Sequence, residues 1–452
     1  MSLHSCVHLF HYRDGHLYCE DVDLTRIAAE LGTPTYVYSA GTILDHYARL
    51  DAALAPLDHL VCYAVKANSN RAILNLLVRA GAGFDIVSGG ELFRVLAAGG
   101  DPAKCTFAGV GKSAEEIEYA LEQRVHSFNV ESEAELETIE RIARAKNMRA
   151  PIALRVNPDI DPHTHKYIST GSQENKFGIA LNQVRAVYER AARMSNIEIV
   201  GVQMHIGSQI TEAKPFANAI EKVAPLVREL KSKYAIQFFS IGGGMGIIYQ
   251  RALESGAGKW WRDHGPACPG SAFSVRDYAG AIVPPLRDLD IRILVEPGRF
   301  LIGNAGVLLT LVRYIKQTGS KKFAIVDAGM NDLIRPALYQ SYHEIVPCGA
   351  CAAADADSST SISTSENLEK IDIVGPVCES GDFFALDREM PELREGDLLA
   401  IMSAGAYGFV MASNYNSRPL PAEALVRGDK FALIRKRQMW EDLVRDEIDI
   451  AW

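Results

Sequence analysis

Residues 61–74 read VCYAVKANSNRAIL: a strand-length apolar run, one lysine, then a polar turn that opens an amphipathic stretch. Desolvating an unpaired ammonium is costly, so a lysine at the end of a buried strand calls for an explanation. Either Lys66 sits just past the strand and points at water, or it stands in a site where its amine condenses with a carbonyl. The surrounding pattern decides.

The run HLVCYAV is the first of eight between residues 59 and 298. The others are FDIVS, CTFAG, HSFNV, PIALRVN, IEIVGVQMHI, FFSIGGG and IRILVEPG. Between them lie helical patterns such as ESEAELETIERIARAKN, with apolar residues at three- and four-residue spacing and acidic residues in the first turn. Eight strand–helix units predict a TIM-like (β/α)8 barrel over 41–302, since a doubly wound sheet seldom runs so long. The polar residues fall at one end of the strands. Lys66 follows run one, Asp85 lies in run two, Arg155 near the end of run five, and His205 at the end of run six. Gly242, Gly243 and Gly244 end run seven, and Glu296 ends run eight. In a barrel these ends share one rim, where active sites of this fold lie. Singly each residue reads as a satisfied rim group. Together they read as a site, with Lys66 in it.

After residue 302 the rhythm changes. GVLLTLVRYIKQ, KKFAIVDAG, EKIDIVGPVC and GDLLAIMSAGAYG alternate with period two and are split by turn residues. They predict an all-β second domain, a sandwich or β-barrel over 303–452, which residues 1–40 join through HLFHYRDGHLYCE and TPTYVYS. The fold class is thus α/β plus all-β. GACAAADADSSTSISTSE, residues 349–366, is low in complexity and predicts a disordered loop. Residues 251–275 carry two adjacent tryptophans and predict an ordered insertion against the surface or a partner.

Composition narrows the class. The 452 residues are 48% hydrophobic and 23% charged, as in an ordinary globular protein. Forty-seven basic against 56 acidic residues give a net charge of −9, and without a basic block no nucleic-acid partner is expected. Every apolar stretch is strand-length and broken by charges, so no membrane partner is expected either. MSLHSCVHLFHYRDG lacks the apolar core of a secretory signal, and eight scattered cysteines suit a reducing cytoplasm. Cys348 and Cys351 form a CxxC with no second ligand pair, so no metal is expected.

GGGMG misses the GxGxxG spacing of a dinucleotide fingerprint. With EPGR it falls at the loops after barrel strands seven and eight, where backbone N–H groups commonly hold a phosphate. A phosphate-bearing ligand whose carbonyl a lysine captures is pyridoxal 5′-phosphate.

YAVKAN, FDIVSGGEL, NKFGI, HIGSQI, GGGMGI, EPGR, DAGMNDLIRPALY, GPVCESGD and GAYG, spread over about 8–436, resemble diaminopimelate decarboxylase, a barrel-type (fold type III) pyridoxal-phosphate decarboxylase. The 251–275 insertion and the Ser-rich loop depart from that pattern, outside the motifs. The resemblance implies conversion of meso-diaminopimelate to L-lysine and carbon dioxide, the last step of lysine biosynthesis, in a homodimer with shared active sites. It implies that Lys66 holds the cofactor as a Schiff base, that His205 stacks on its ring, and that Glu296 faces the pyridine nitrogen. Related alanine racemases place an arginine there. Ser208, Gly242 to Gly244 and the EPGR turn, Gly298 and Arg299 with it, would hold the phosphate, with Asp85 and Arg155 also at the cofactor. Cys378 would donate a proton to the carbanion, and Glu379 would hold the distal ammonium. Arg299, Arg335 and Tyr339 would hold the distal carboxylate, and Tyr407 would reach cofactor and substrate. The alternatives are a decarboxylase of another basic amino acid or of carboxynorspermidine, and a catalytically silent pyridoxal-phosphate-binding regulator. The presence of Lys66, Glu296 and Cys378 weighs against the silent form.

Overall fold

The structure, a computed structural model, describes residues 8–160, 176–255, 274–349 and 368–452. The Ser-rich stretch and most of the 251–275 insertion, for which the sequence predicts a disordered loop and an ordered insertion, lie outside the described residues. The chain divides into two compact units: described residues within 46–247 and 266–301, and those within 1–45, 248–265 and 302–452.

The first unit is the barrel. Its strands are β1 (His59–Ala64), β2 (Gly83–Ile86), β3 (Cys105–Phe107), β4 (Ser127–Val130), β5 (Ala150–Asn157), β6 (Ile197–Met204), β7 (Phe238–Ser240) and β8 (Arg292–Val295). Each pairs in parallel with the next, and β8 returns to β1 through Ile293 opposite His59, closing the ring. All eight predicted runs are strands of this barrel. Helices after β2, β3, β4 and β7 start alike: Ser88, Ser113, Ser132 and Ser274 each accept a hydrogen bond from the backbone N–H three residues on, where Glu91, Glu116, Glu135 and Asp277 stand. A serine cap with an acid in the first turn satisfies free N–H groups and complements the helix dipole. The sequence analysis did not single out the two-residue strand Ile179–Ala180, which adds to β5 opposite Val156 and Asn157.

Residues paired across a parallel ladder share a face, and this register sorts the barrel interior. Leu60, Cys62, Ala153, Val200, Phe238 and Leu294 form an apolar plug. Toward the C-terminal ends of the strands the same face carries Asp85, Thr106, Asn129, Arg155, Gln203, Ser240 and Glu296, all buried. A barrel that needed only stability would continue its apolar layers here.

The second unit is built on one long strand, Gly306–Thr318. Its first part lies between Leu398–Ile401 and Thr35–Ser39, both antiparallel to it. After a register irregularity between Val312 and Tyr314 it pairs with Lys321–Val326, which continues to Glu369–Val374 and Phe383–Met390. Thr35–Ser39 therefore joins this sheet, in parallel with Ala422–Arg427 on its other side. Phe10–Arg13 and His16–Cys19 instead pair with each other and with Val22–Asp23, forming a separate three-stranded sheet. The unit packs around Leu17, Val37, Val307, Leu309, Ala400 and Val426. Among the described residues no helix is long and apolar enough to cross a membrane.

Candidate active site

In the barrel unit, Lys66 stands in the single turn Val65–Ala67 that ends β1. Its ammonium donates to Asp85 Oδ2 over 2.7 Å, with Asp85 buried and the lysine side chain 40% exposed. The charge is thus matched by a carboxylate on the neighbouring strand.

Glu296, just past β8, accepts hydrogen bonds on both oxygens, from Ser240 Oγ at 2.6 Å and Gln203 Nε2 at 3.1 Å. Those bonds favour the carboxylate. Burial opposes it more strongly, with the charge of Asp85 adding to the effect, and the carboxyl is pushed up to about 7.

His205 follows β6, and its Nδ1 accepts the N–H of Gly243 at 3.2 Å. A ring nitrogen that accepts carries no proton, so any ring proton sits on Nε2. Burial, then the charges of Arg155 and Lys66, hold the imidazole well below its usual value, so the ring is neutral. The glycines beside it have no room for side chains. A Cβ on Gly243 would collide with the Glu296 carbonyl oxygen, and Gly242 has φ +72°, in the left-handed region that favours glycine. Gly243 is thus the point where the chain after β7 crosses the end of β8.

Arg299 is buried and donates to Ser208 Oγ at 3.2 Å, joining the EPGR turn to the HIGSQI loop. Arg155, which the resemblance places at the cofactor, is anchored by Glu131 at 2.7 Å and lies 4.8 Å from the centre of the Phe177 ring. Glu131, just past β4, also accepts the N–H of Gly178, tying NKFGI to the end of that strand. Asp85 Oδ1, Thr106 Oγ1, both amide atoms of Asn129, and Gln203 Oε1 are buried without a hydrogen-bond partner among the described residues. Orphaned buried groups cost about 1–3 kcal/mol each, which suits an interior built to receive a polar ligand.

In the second unit, Arg335 opens the short helix Arg335–Tyr339 and is buried; Tyr339 ends that helix, its ring 5.8 Å from the guanidinium. Cys378 and Glu379 are exposed on the loop after Glu369–Val374. Three residues that the sequence analysis did not single out hold that loop. Asp382 accepts the N–H groups of Val377 and Met330, both at 2.6 Å. Asn416 Oδ1 accepts the Cys378 N–H at 2.9 Å, and Tyr415 donates to Glu379 at 3.1 Å. Tyr407 is half-buried with φ +56°, strain that an ordinary tyrosine avoids.

Ser240, Gln203, Glu131, Tyr415 and Asn416 were missed as site residues because each is an unremarkable polar residue locally. Only the spacing of inward positions along β6 and β7 marked Gln203 and Ser240.

Residues 40–303 match the family model for the pyridoxal binding domain of pyridoxal-dependent decarboxylases. The chain is 50% identical to the diaminopimelate decarboxylase of Pseudomonas aeruginosa over 439 residues, 97% of this chain and 98% of that protein. It is 46% identical to that of Vibrio cholerae over 432 residues, 95% of this chain and 96% of the other. The Helicobacter pylori diaminopimelate decarboxylase, solved in complex with L-lysine, superimposes with a TM-score of 0.83 at 40% identity, covering 94% of this chain and 98% of that one. With the barrel, its polar rim and matches over nearly its whole length, the chain belongs to the diaminopimelate decarboxylases, within the pyridoxal-dependent decarboxylase family.

Proposed function

We propose that this protein decarboxylates meso-diaminopimelate to L-lysine and carbon dioxide with pyridoxal 5′-phosphate as its cofactor. The observation that carries the reading is the pairing, on one barrel rim, of a lysine after β1 with a buried glutamate after β8. The residues fit that cofactor. Lys66 supplies the amine, the glycines after β7 keep that turn free of side chains, and orphaned polar atoms line the interior. When bound, the pyridoxal ring takes up the electron pair left as carbon dioxide departs.

The chain's own residues do the rest. Lys66 would be the residue that holds the cofactor, through its side-chain amine. Glu296 would face the pyridine nitrogen and favour its protonated form. Burial raises its carboxyl, and a cationic partner there would favour the carboxylate again. His205, neutral and fixed by Gly243, would stand beside the ring without adding charge. The Arg299–Ser208 pair and the glycine turn would hold the phosphate. Arg335 and Tyr339 receive the carboxylate that the product keeps, and Glu379 its ammonium. Cys378 delivers the proton to the α-carbon vacated by carbon dioxide. A dimer in which each sheet unit caps its partner's barrel would place that loop at the chemistry, and the scattered cysteines favour a cytoplasmic home.

The test is to incubate the cofactor-loaded protein with meso-diaminopimelate, ornithine and arginine and measure carbon dioxide. Release from meso-diaminopimelate alone supports the reading. Release from ornithine or arginine in its place refutes it.

A further inference from the structure

Two side chains inside the barrel carry polar groups that no described residue uses. Thr106 on β3 and Asn129 on β4 are both fully buried. Thr106 Oγ1 has no hydrogen-bond partner among the described residues, and neither amide atom of Asn129 has one. The two share the inward face. Thr106 pairs across the ladder with Asp85 on one side and Ser127 on the other. Asn129 stands two residues beyond Ser127, on the same face and nearer the C-terminal rim. Ser127 does find a partner, in the His126 ring at 3.2 Å. A valine and a leucine would fill the space of Thr106 and Asn129 without leaving polar atoms unpaired. The two polar groups thus await a partner from outside the chain.

Their place in the ring of strands says what that partner is. Strands β8, β1, β2, β3 and β4 follow one another round the barrel. Lys66 follows β1, and barrel loops that hold a phosphate commonly follow strands seven and eight. In pyridoxal 5′-phosphate the ring position that bears the aldehyde is flanked by two substituents, the arm that carries the phosphate and a hydroxyl. With the arm on the β7–β8 side of Lys66, the hydroxyl falls on the β2–β4 side. There Asp85 Oδ2 takes the lysine ammonium over 2.7 Å, and as a carboxylate its unpartnered Oδ1 only accepts. Thr106 and Asn129 can each donate as well as accept, so they suit a ring oxygen with or without its proton.

We propose that Thr106 and Asn129 form the subsite for the ring hydroxyl of the cofactor. The inference rests on the reading of Lys66 as the residue that holds pyridoxal 5′-phosphate. It extends that reading to the β3 and β4 side of the barrel, to which cofactor recognition assigns no other residue.

The experiment compares wild type with Thr106→Val, which keeps the shape of the side chain, and with Asn129→Leu, in two measurements on the full chain. The first is thermal unfolding of the cofactor-free protein. Replacing an orphaned polar group removes its desolvation penalty, so each variant is expected to gain about 2–4 °C in Tm. The second is equilibrium binding, followed by absorbance, of pyridoxal 5′-phosphate and of 3-deoxypyridoxal 5′-phosphate, which lacks the hydroxyl. Each variant is expected to bind pyridoxal 5′-phosphate about 10-fold more weakly than wild type, and the deoxy compound equally well within about twofold. A hydrogen bond with a merely structural role would move Tm the other way. Lower Tm in both variants, equal weakening of both ligands, or weakening of neither overturns the subsite. If Asn129→Leu fails to fold, Thr106→Val decides alone. Wild type that takes up neither ligand refutes the cofactor reading and the subsite with it. Wild type that prefers pyridoxal 5′-phosphate, with variants that prefer it by the same factor, refutes the subsite alone.

Discussion

Lys66 Nζ lies 2.7 Å from Asp85 Oδ2, so the turn that ends β1 is tied to the middle of β2 by an ion pair with one partner wholly buried. The lysine that breaks the apolar run is held, not stray. Borohydride reduction of the cofactor-loaded protein is expected to fix the cofactor on the peptide containing Lys66. Peptide mass spectrometry reads the position. A label on any other lysine would remove Lys66 from the site and the barrel rim from the chemistry.

Substitution of Arg335 should separate substrate from cofactor. Leaving a buried charge without its partner costs about 2–5 kcal/mol, so Arg335→Leu is expected to lower kcat/KM on meso-diaminopimelate by orders of magnitude. The absorbance of the bound cofactor should not change, because the resemblance gives Arg335 no part in holding it. Near-normal kinetics in this variant would count against a substrate with a second carboxylate.

Glu296 gives a pH dependence whose sign is fixed. Its carboxyl is raised from 4.5 to about 7, chiefly by burial, with the Asp85 charge next. Between those values the folded cofactor-free protein keeps a proton that the unfolded chain gives up. Stability from this group is therefore present at acid pH and lost as pH rises toward 7, by an amount on the order of 3 kcal/mol. Glu91 and Asp332 are also raised to about 7 by burial and share this sign, so the whole-protein slope is not diagnostic. The difference is. Urea unfolding of cofactor-free wild type and Glu296→Gln should show the variant gaining on wild type between pH 5 and pH 8. A difference that is the same at both pH values would place Glu296 in water.

What the sequence could show follows from range. Each barrel strand is a local apolar run with its own boundary, so all eight were legible, and so were the polar residues at their ends. Thr35–Ser39 was legible as a strand, but its place between Gly306–Thr318 and Ala422–Arg427 depends on pairings across hundreds of residues. The partners of the site residues were hidden for the same reason. Ser240 reaches Glu296 across 56 positions and Gln203 reaches it across 93, and neither serine nor glutamine announces such a role locally. Arg155 was visible as a rim charge, whereas its partner Glu131 reads as the acid before a helix cap.

The remaining prediction concerns Cys378, whose loop is exposed within its own chain yet held in one shape. Asp382 clasps the backbone before it, Asn416 accepts its N–H, and Tyr415 ties down Glu379. A loop fixed by that many bonds and pointed at solvent is shaped for something outside the unit that carries it. A proton donor must come within hydrogen-bond reach of the carbon it protonates, directly or through one water. In a two-fold dimer each sheet unit can meet the partner's barrel, giving two equivalent composite sites. Lys66→Ala and Cys378→Ala proteins should then each be nearly inactive, the first without covalent cofactor and the second with it. Mixed and allowed to exchange subunits, they should regain part of the activity. One hybrid site carries both substitutions and the other carries neither. If the cysteine served its own chain, each hybrid site would keep one defect, and proven heterodimers would stay inactive.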